Sequence, residues 1–506
     1  MLRVVKVENG VIQGLPAADP RITSFKGIPF AAPPVGENRW RAPQPVENWD
    51  GVLKAFQFAP ISMQATPGLD KSDIYTREWA VDPDIPMDED CLYLNVWTPA
   101  CSTDEKLPVF VWFFGGGLQV GNTAEMEFDG ERIARRGIVV VTVNYRLNVF
   151  GFLCHPEISV EAPDAPANFG HLDQQAGMRW VKRNIVAFGG DPDNITIGGQ
   201  SAGGGSVLNH LTSPQNRDLF QKAIIQSGIF TRIYPNSHIP GGRCTLVEAE
   251  QEGVKFFEFL GVSSLEEARQ LDAEYIRDKS LEYNRFWGTV VDNLFNVGNA
   301  FDLFLENKRW MVPVLLGHTS SEFYSVPNVR TLDEFKDMAV DMFGDNADEY
   351  LALCNAQSGD LDEILKEASV NSIEYAIRIV GQANANTGAN MELYYYIFDA
   401  EIPGWDNPGT FHSVDLWFFF ETLAKCWRPF VGKHYDLARQ MCNYWANFIR
   451  SGNPNGKDST GENMPQWAPY TPEVPYAMVF GDKPECVKKQ PNALMKFLLK
   501  EYFKKK

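Results

Sequence analysis

The stretch ITIGGQSAGGGSV, residues 195–207, has one serine between glycines directly after a short β-branched run. Ser201 is then either a nucleophile on a sharp strand-to-helix turn or a polar residue in a glycine-rich loop. In the first case Gly199 and Gly203 are small because the turn is tight, and the hydroxyl is lifted toward a helix N-terminus. The helix dipole and the free N–H of Ala202 would favour an oxyanion there. The motif alone does not decide between the two interpretations.

Short β-branched and aromatic runs alternate along the chain with helical patterns. The predicted buried strands are 107–114, 138–145, 194–199, 222–228, 312–317 and 391–398, and residues 173–189 have apolar positions near helical spacing. This alternation predicts a mostly parallel sheet that is covered on both faces. In such sheets reactive groups collect in the loops beyond the carboxyl ends of the strands.

Three of these loops carry reactive side chains. Ser201 follows the strand at 194–199, Glu322 lies five residues after Gly317, and His412 lies in the loop after the strand at 391–398. A lone histidine is more often structural than catalytic. The chain order serine, acid, histidine, with each residue after a strand, is the order in which a nucleophile elbow is followed by its acid and its base. All three residues in this order are far less common by chance than any one of them.

A glycine run lies upstream, in VWFFGGGLQVGN (111–122). Three glycines after a buried strand let the N–H groups of Gly116 and Gly117 point into a site, as an oxyanion hole requires. A phosphate loop does not fit, because Val120 stands where G-x-G-x-x-G needs its last glycine and no G-K-[ST] follows. A tight turn at positive φ explains one glycine more readily than three.

Composition narrows the class of partner. The 506 residues carry a net charge of −19, which argues against nucleic acid or an anionic membrane as a partner. No stretch approaches the ~20 apolar residues of a membrane span. The first residues, MLRVVKVENGVIQGL, alternate like a strand and lack a signal-peptide core. The eight cysteines are scattered without metal-type spacing. We therefore expect mostly reduced thiols and a cytoplasmic location.

Longer segments carry a family resemblance across nearly the whole chain. They are FKGIPFAAPPVGENRWRAPQP (25–45), DEDCLYLNVWTP (88–99), NYRLNVFGF (144–152), ANFGHLDQQ (167–175), AFGGDPDNITIGGQSAGGGSV (187–207), GHTSSEF (317–323), FHSVDL (411–416) and SGNPNG (451–456). With these segments the chain resembles a type-B carboxylesterase, a cholinesterase-like α/β-hydrolase, and is similar to bacterial members of that group. The resemblance implies one α/β-hydrolase domain over 1–506, with a lid-like loop at 64–90 and helical insertions at 230–310 and 325–390 around an active-site gorge.

The resemblance also implies roles for single residues. Ser201 would attack an ester carbonyl, His412 would take its proton and Glu322 would orient the imidazole. Backbone N–H groups would hold the oxyanion, and a supporting polar network would surround the triad. The remaining candidates are Gly116, Gly117 and Ala202 for the oxyanion hole, Gln200, Ser227 and Asp415 for the network, and Leu118, Phe286, Trp287 and either Trp417 or Phe418 for the pocket wall. Two family ion pairs are expected, Arg39 with Glu89 and Arg146 with Asp173, and no metal or other cofactor.

Departures from the family pattern refine these expectations. Cholinesterases carry a glutamate before the serine, and the neutral Gln200 here argues against choline esters. Relatives bridge the cysteine at position 91 to one near residue 62, where this chain has Ser62, so Cys91 is expected to be unpaired and the loop at 64–90 untied. That loop is acidic and lacks the continuous apolar face of an interfacial lid.

The expected function is hydrolysis of small or aromatic carboxylic esters through an acyl-enzyme. Large aromatic residues at the pocket would favour short or flat acyl groups, although an aromatic run such as WFFF (417–420) is more often core than pocket. The alternatives are a lipase for longer acyl chains, a non-catalytic scaffold or adhesion relative, and an amidase. The expected partner is a small-molecule ester, with no nucleic acid or membrane, and the chain is expected to be a monomer or a homodimer.

Overall fold

The computed structural model describes residues 1–235, 244–388 and 391–505. The strands are β1 Val4–Val7, β2 Gly10–Gln13, β3 Leu15–Pro16, β4 Thr23–Pro29, β5 Val52–Lys54, β6 Tyr93–Thr98, β7 Leu107–Phe113, β8 Val139–Val143, β9 Gly190–Gln200, β10 Lys222–Gln226, β11 Val314–Thr319, β12 Tyr324–Ser325, β13 Val370–Asn371, β14 Leu393–Phe398, β15 Tyr476–Phe480 and β16 Pro484–Lys488. The α-helices are α1 Ile74–Glu78, α2 Glu131–Ala134, α3 Asn148–Phe152, α4 Pro156–Glu161, α5 Phe169–Asn184, α6 Ala202–Thr212, α7 Leu246–Leu260, α8 Leu265–Gln270, α9 Ala273–Tyr283, α10 Ala300–Leu305, α11 Leu332–Phe343, α12 Ala347–Leu353, α13 Leu361–Glu367, α14 Ser372–Asn386, α15 Asp415–Phe419, α16 Gly432–Ser451 and α17 Ala493–Lys504.

A large mixed sheet forms the centre of the molecule. In the described residues it has eleven strands in the order β16-β15-β14-β11-β10-β9-β7-β8-β6-β4-β3. The seven strands from β15 to β8 are parallel, and antiparallel strands complete both edges. Each of the six strands predicted from the sequence overlaps a strand of this parallel block, so the prediction of a mostly parallel sheet is confirmed.

Both faces of the sheet are covered, which is why the central strand β7 is apolar at every position. Along β7 the side chains of Val109, Val111 and Phe113 pack into one buried cluster, and those of Phe110 and Trp112 pack into the other. Helices α7 to α10 lie within the predicted insertion at 230–310, and α11 to α14 lie within that at 325–390. Residues 236–243 and 389–390 of these insertions are outside the described residues. None of the described helices is long and apolar enough to cross a membrane.

Four neighbouring strands pair in a register that places their carboxyl ends side by side at one edge of the sheet. Gln200 of β9 pairs with Gln226 of β10, Gln226 with Gly317 of β11, and Gly317 with Tyr396 of β14. The residues that follow each strand therefore meet at a single edge of the sheet. A Cβ atom at Gly317 would lie 1.9 Å from the Tyr396 ring, so glycine is required for these two strands to pair in this register.

The segment 64–90 is anchored without a disulfide. Its ends are joined by main-chain hydrogen bonds from Ile61 to Pro86 and from Asp88 to Ile61, at 2.8 and 3.0 Å. Cys91 is unpaired, as expected from Ser62, and all eight cysteines of the chain are free thiols. The expectation that the missing bridge leaves this segment untied is corrected by these contacts and by a buried ion pair in its helix.

That ion pair joins α1 to the region before α16. The Arg428 guanidinium donates to Glu78 Oε1 at 2.8 Å and makes two bonds of 2.9 and 3.0 Å to Asp406. The side chains of Glu78 and Arg428 are both completely buried. The two expected family ion pairs are also present, at 2.6 Å for Arg39 with Glu89 and 2.7 Å for Arg146 with Asp173.

Removing Arg428 tests this anchor. We expect Arg428→Met to lower the free energy of unfolding by roughly 3–5 kcal/mol, because it leaves the buried Glu78 carboxylate without its cation. The matched control is Arg439→Met, which removes a half-exposed arginine paired with Asp436 on α16 and should cost less than about 1 kcal/mol. Denaturant unfolding gives the energies, and limited proteolysis should show faster cleavage within 64–90 for Arg428→Met alone. Equal stability of the two variants would contradict the anchoring role.

Candidate active site

Ser201 occupies a sharp turn between β9 and α6. Its backbone has φ 55° and ψ −124°, outside the regions that ordinary residues prefer, which is the strained geometry of a nucleophile elbow. The turn is possible because small residues surround it. A Cβ atom at Gly199 would lie 2.3 Å from Gly203 O, and one at Gly203 would lie 2.1 Å from Phe113 O. The Ser201 side chain is thereby held at the carboxyl edge of the sheet and lines a cavity.

The glycine run lies against this turn. Gly116 and Gly117 have φ values of 96° and 65°, in the left-handed region that favours glycine. A Cβ atom at Gly116 would lie 2.1 Å from Val120 O, and one at Gly115 would lie 3.1 Å from the Ser201 Cβ. The loop after β7 therefore lies directly against the serine, and both glycines line the same cavity.

His412 and Glu322 form a buried hydrogen-bonded pair. His412 Nδ1 lies 2.7 Å from Glu322 Oε2, while Glu322 Oε1 accepts bonds from the main-chain N–H and the hydroxyl of Thr319. Burial raises the pKa of Glu322, but the charge and hydrogen bond of His412 together with neighbouring Ser227 outweigh it, so the pKa of Glu322 ends below its ordinary value. The carboxylate thus stays charged and fixes the imidazole with its Nδ1 protonated.

Gln200 makes a contact that the sequence did not predict. Its side-chain Nε2 lies 3.2 Å from His412 Nε2. Since Glu322 takes the proton on Nδ1, the other ring nitrogen accepts, and the amide of Gln200 donates to it. The residue before the serine therefore occupies the lone pair that a general base would use. The only sequence signal was that Gln200 stands where cholinesterases carry a glutamate.

Asp415 lies in the same buried edge but does not bind His412. Its Oδ2 accepts a 2.7 Å hydrogen bond from the Tyr396 hydroxyl and a 3.3 Å bond from Gln226 Nε2. Burial, reinforced by the negative charge of Glu322, raises the pKa of Asp415 to about 6. Ser227 adopts φ 47° and adjoins Glu322. The predicted polar network is thus two groups of contacts, one around Glu322 and one around Asp415.

The cavity above these residues has a volume of about 1140 Å³. Ser201, His412, Leu118, Phe286 and Trp287 all line it. Phe286 is 53% exposed and faces the opening, whereas Trp287 is 4% exposed, with its indole bonded to the Ser280 hydroxyl. The cavity is larger than a short ester needs.

Trp417 and Phe418 do not line this cavity, which corrects the prediction that one of them forms its wall. The Trp417 indole N–H donates to Glu78 at 3.1 Å, and Phe418 packs on Phe398, with ring centroids 4.7 Å apart. On α15 these two side chains face the core, whereas Leu416 of the same helix lines the cavity. Sequence reasoning also missed Phe323, whose ring lies 4.4 Å from the His412 ring. Its position directly after Glu322 was an available signal.

No metal-binding group of three His, Cys, Asp or Glu side chains occurs within residues 1–235, 244–388 and 391–505. The chemistry available at this edge is that of the serine hydroxyl, the imidazole, the carboxylate and the main-chain N–H groups. A parallel sheet with a serine on a sharp turn at its carboxyl edge, beside a histidine–glutamate pair, defines the α/β-hydrolase class.

Comparison with known proteins gives the family. The chain belongs to the Carboxylesterase family, whose model matches residues 2–497. It is 30% identical to a fumonisin B1 esterase of Sphingopyxis macrogoltabida, over 88% of this chain and 82% of that protein. It is 31% identical to a human cocaine esterase, over 92% of this chain and 85% of that protein. Family membership supports hydrolysis of carboxylic esters in general.

Solved structures agree with this assignment. A PNB esterase superimposes with a TM-score of 0.79 at 26% identity, covering 99% of each chain. A carboxylesterase of Geobacillus stearothermophilus gives a TM-score of 0.75 at 28% identity, covering 98% of this chain and all of that one. The α/β-hydrolase fold predicted from the sequence is confirmed.

The raised pKa of Asp415 predicts a pH-dependent stability. Because the folded state holds this proton more tightly than the unfolded chain, the contribution of Asp415 to stability falls as pH rises from about 4 to 6. We expect the unfolding free energy of Asp415→Asn minus that of wild type to be roughly 1–2 kcal/mol larger at pH 8 than at pH 5. Denaturant unfolding at both pH values measures this difference. The control is Asp50→Asn, which removes the same charge from an exposed position. A difference between Asp415→Asn and wild type that does not change with pH would contradict the assignment.

Proposed function

We propose that the protein is a serine carboxylesterase that hydrolyses small or aromatic carboxylic esters through an acyl-enzyme. Ser201, His412 and Glu322 form its catalytic triad in this proposal. The observation that carries it is the 2.7 Å contact of Glu322 with His412, whose side chain lines the same cavity as Ser201. An orienting acid, a base and a nucleophile at one edge of the sheet are the parts that acyl transfer needs.

In the proposed reaction the Ser201 hydroxyl attacks the ester carbonyl carbon and His412 Nε2 takes its proton. The Gln200 amide must first leave Nε2 or shift within its 3.2 Å contact. The N–H groups of Gly116, Gly117 and Ala202 stabilise the oxyanion, each donor contributing roughly 3–4 kcal/mol in comparable sites. His412 then protonates the leaving alcohol, and a water molecule releases the acyl group by the reverse sequence.

The preference for small or aromatic acyl groups rests on the wall beside the oxyanion glycines. A Cβ atom at Gly117 would lie 3.9 Å from the Phe286 ring, so this ring is next to the proposed acyl site. Trp287 and Leu118 complete that wall. Choline esters are not part of the proposal, because the neutral Gln200 replaces a carboxylate next to the nucleophile.

A reducing, cytoplasmic location is part of the same proposal. It is supported by eight free cysteines, of which Cys91, Cys154, Cys354 and Cys442 are buried. Thiols persist in compartments where glutathione and thioredoxin keep them reduced.

Removing the nucleophile tests the triad. We expect Ser201→Ala to lower kcat for p-nitrophenyl butyrate by roughly 10⁴-fold or more, as in other triad enzymes. It should also abolish labelling by a serine-reactive phosphonate. The control is Ser102→Ala, a serine in an exposed loop, which should keep both activity and labelling. Turnover by folded Ser201→Ala close to that of wild type would refute the assignment.

An acyl panel tests the substrate class. We expect kcat/KM for p-nitrophenyl acetate, p-nitrophenyl butyrate or methyl ferulate to exceed that for p-nitrophenyl octanoate by at least about tenfold, because large aromatic side chains limit acyl length. Phe286→Ala should shift the preference toward octanoate. The opposite order in wild type, with a rate increase above the solubility limit of the ester, would favour a lipase.

A further inference from the structure

A hydrogen-bonded network of polar side chains lies behind one part of the cavity wall. At the wall, the Thr289 hydroxyl lies 2.8 Å from His171 Nε2, and both residues line the cavity. Farther from the wall, Gln174 Oε1 lies 3.1 Å from His171 Nδ1 and 2.9 Å from His210 Nε2. These four side chains have no role in the proposed triad.

The direction of each hydrogen bond follows from the buried end of the network. The Ser206 hydroxyl donates to the Ala202 carbonyl at 3.0 Å, so its oxygen accepts the 3.1 Å bond from Gln174 Nε2. Gln174 therefore turns its oxygen toward the imidazoles, and His171 donates to it through Nδ1. Burial lowers the pKa of His171 to about 4, so near neutral pH its ring has one proton and Nε2 accepts. The hydroxyl of Thr289 must be the donor in that contact.

The Thr289 oxygen is thereby limited to accepting hydrogen bonds from the cavity. A hydroxyl has one hydrogen and two acceptor lone pairs, and this hydrogen is committed to His171. Thr289 is partly exposed whereas His171 is completely buried, so Thr289 is the member of the pair that an occupant of the cavity can reach. An acyl group that displaces water from this oxygen without offering a donor leaves an acceptor unsatisfied.

The segment that carries Thr289 is held in place by the start of α5. Asn168, the residue before this helix, accepts a bond from the Val290 main-chain N–H and donates one to Val290 O, both at 2.9 Å. Thr289 also lies two residues after Trp287, which belongs to the wall proposed for the acyl group. A fixed acceptor at this place can distinguish between acyl groups.

We propose that Thr289 is a specificity-determining residue that accepts a hydrogen bond from a hydroxyl group on the acyl part of an ester substrate. The inference rests on the proposed esterase function and narrows its substrate class to hydroxylated acyl groups, such as those of hydroxyaryl acids. His171 and Gln174 are positioning residues, because they keep the Thr289 hydrogen away from the cavity. A methoxy group has no donor hydrogen and cannot replace the hydroxyl.

Matched acyl groups test the subsite. The probes are the methyl esters of 3- and 4-hydroxybenzoic, hydroxyphenylacetic and hydroxycinnamic acids, each beside its methoxy counterpart. Because a site built to bond a hydroxyl group rejects an analogue that lacks it, we expect at least one hydroxy ester to exceed its methoxy counterpart in kcat/KM by about tenfold or more.

Variants assign this preference to Thr289. Thr289→Val removes the oxygen and keeps the shape, so it should lower the hydroxy-to-methoxy ratio by about fivefold or more, whereas Thr289→Ser should keep the ratio. The ratio is measured within each variant, so a general loss of activity does not affect it. The control is Thr76→Val, which changes another threonine of the cavity wall and should keep the wild-type ratio.

A separate variant tests the positioning role of His171. His171→Phe removes the acceptor at Nε2 and keeps a ring in its place, so the Thr289 hydroxyl can then donate to a methoxy oxygen. The hydroxy-to-methoxy ratio should therefore fall although Thr289 is intact. A ratio in His171→Phe equal to that of wild type would overturn the positioning role.

The outcomes separate the subsite from the proposed function. A ratio of about one for every acid in wild type, or a ratio that Thr289→Val leaves unchanged, would overturn the subsite. Calorimetry on Ser201→Ala, with and without Thr289→Val, measures the binding of the same esters without turnover. Tighter binding of a hydroxy ester that is lost with Thr289→Val, in a protein whose wild type hydrolyses no ester, would support the subsite and refute the proposed function.

Discussion

The close approach of the turn at Ser201 to the loop after β7 is the constraint on which the site depends. The strained backbone of Ser201 is tolerated only because Gly199 and Gly203 leave room for main-chain atoms, at distances where any Cβ would collide. The same contact brings Gly115 against the serine and aligns the glycine run with it. A local sequence feature, small residues around one serine, therefore determines how two separate strands present their carboxyl ends.

Much of this edge could be predicted from the sequence because its parts follow strands whose apolar runs are unmistakable. The positions of Ser201, Glu322 and His412 after β9, β11 and β14 required only the rule that parallel strands expose their loops on one side. The contact of Gln200 with His412 could not be predicted, since it depends on a side-chain rotamer. The ion pair between Glu78 and Arg428 could not be predicted either, because 350 positions separate the two residues.

The error at Trp417 and Phe418 has a physical cause. Both follow His412 closely, and proximity in sequence suggested proximity to the cavity. The loop continues into α15, and one turn of helix directs these two side chains into the core while Leu416 faces the cavity. Phe286, in contrast, is not in a helix or strand, and it remains 53% exposed at the opening. Large aromatic residues do line the cavity, but helical geometry decides which of those after His412 reach it.

The buried carboxyl groups at this edge differ in their pKa values because their surroundings differ. Glu322 receives the imidazole and two contacts from Thr319, so its charge is stabilised despite burial. Asp415 has only neutral donors, Tyr396 and Gln226, and it feels the charge of Glu322, so its pKa rises. Glu127 lies close to Glu125, and burial together with repulsion by Glu125 holds its pKa well above the ordinary value. The charge of each carboxyl at this edge is therefore decided by the donors and charges around it, and not by burial alone.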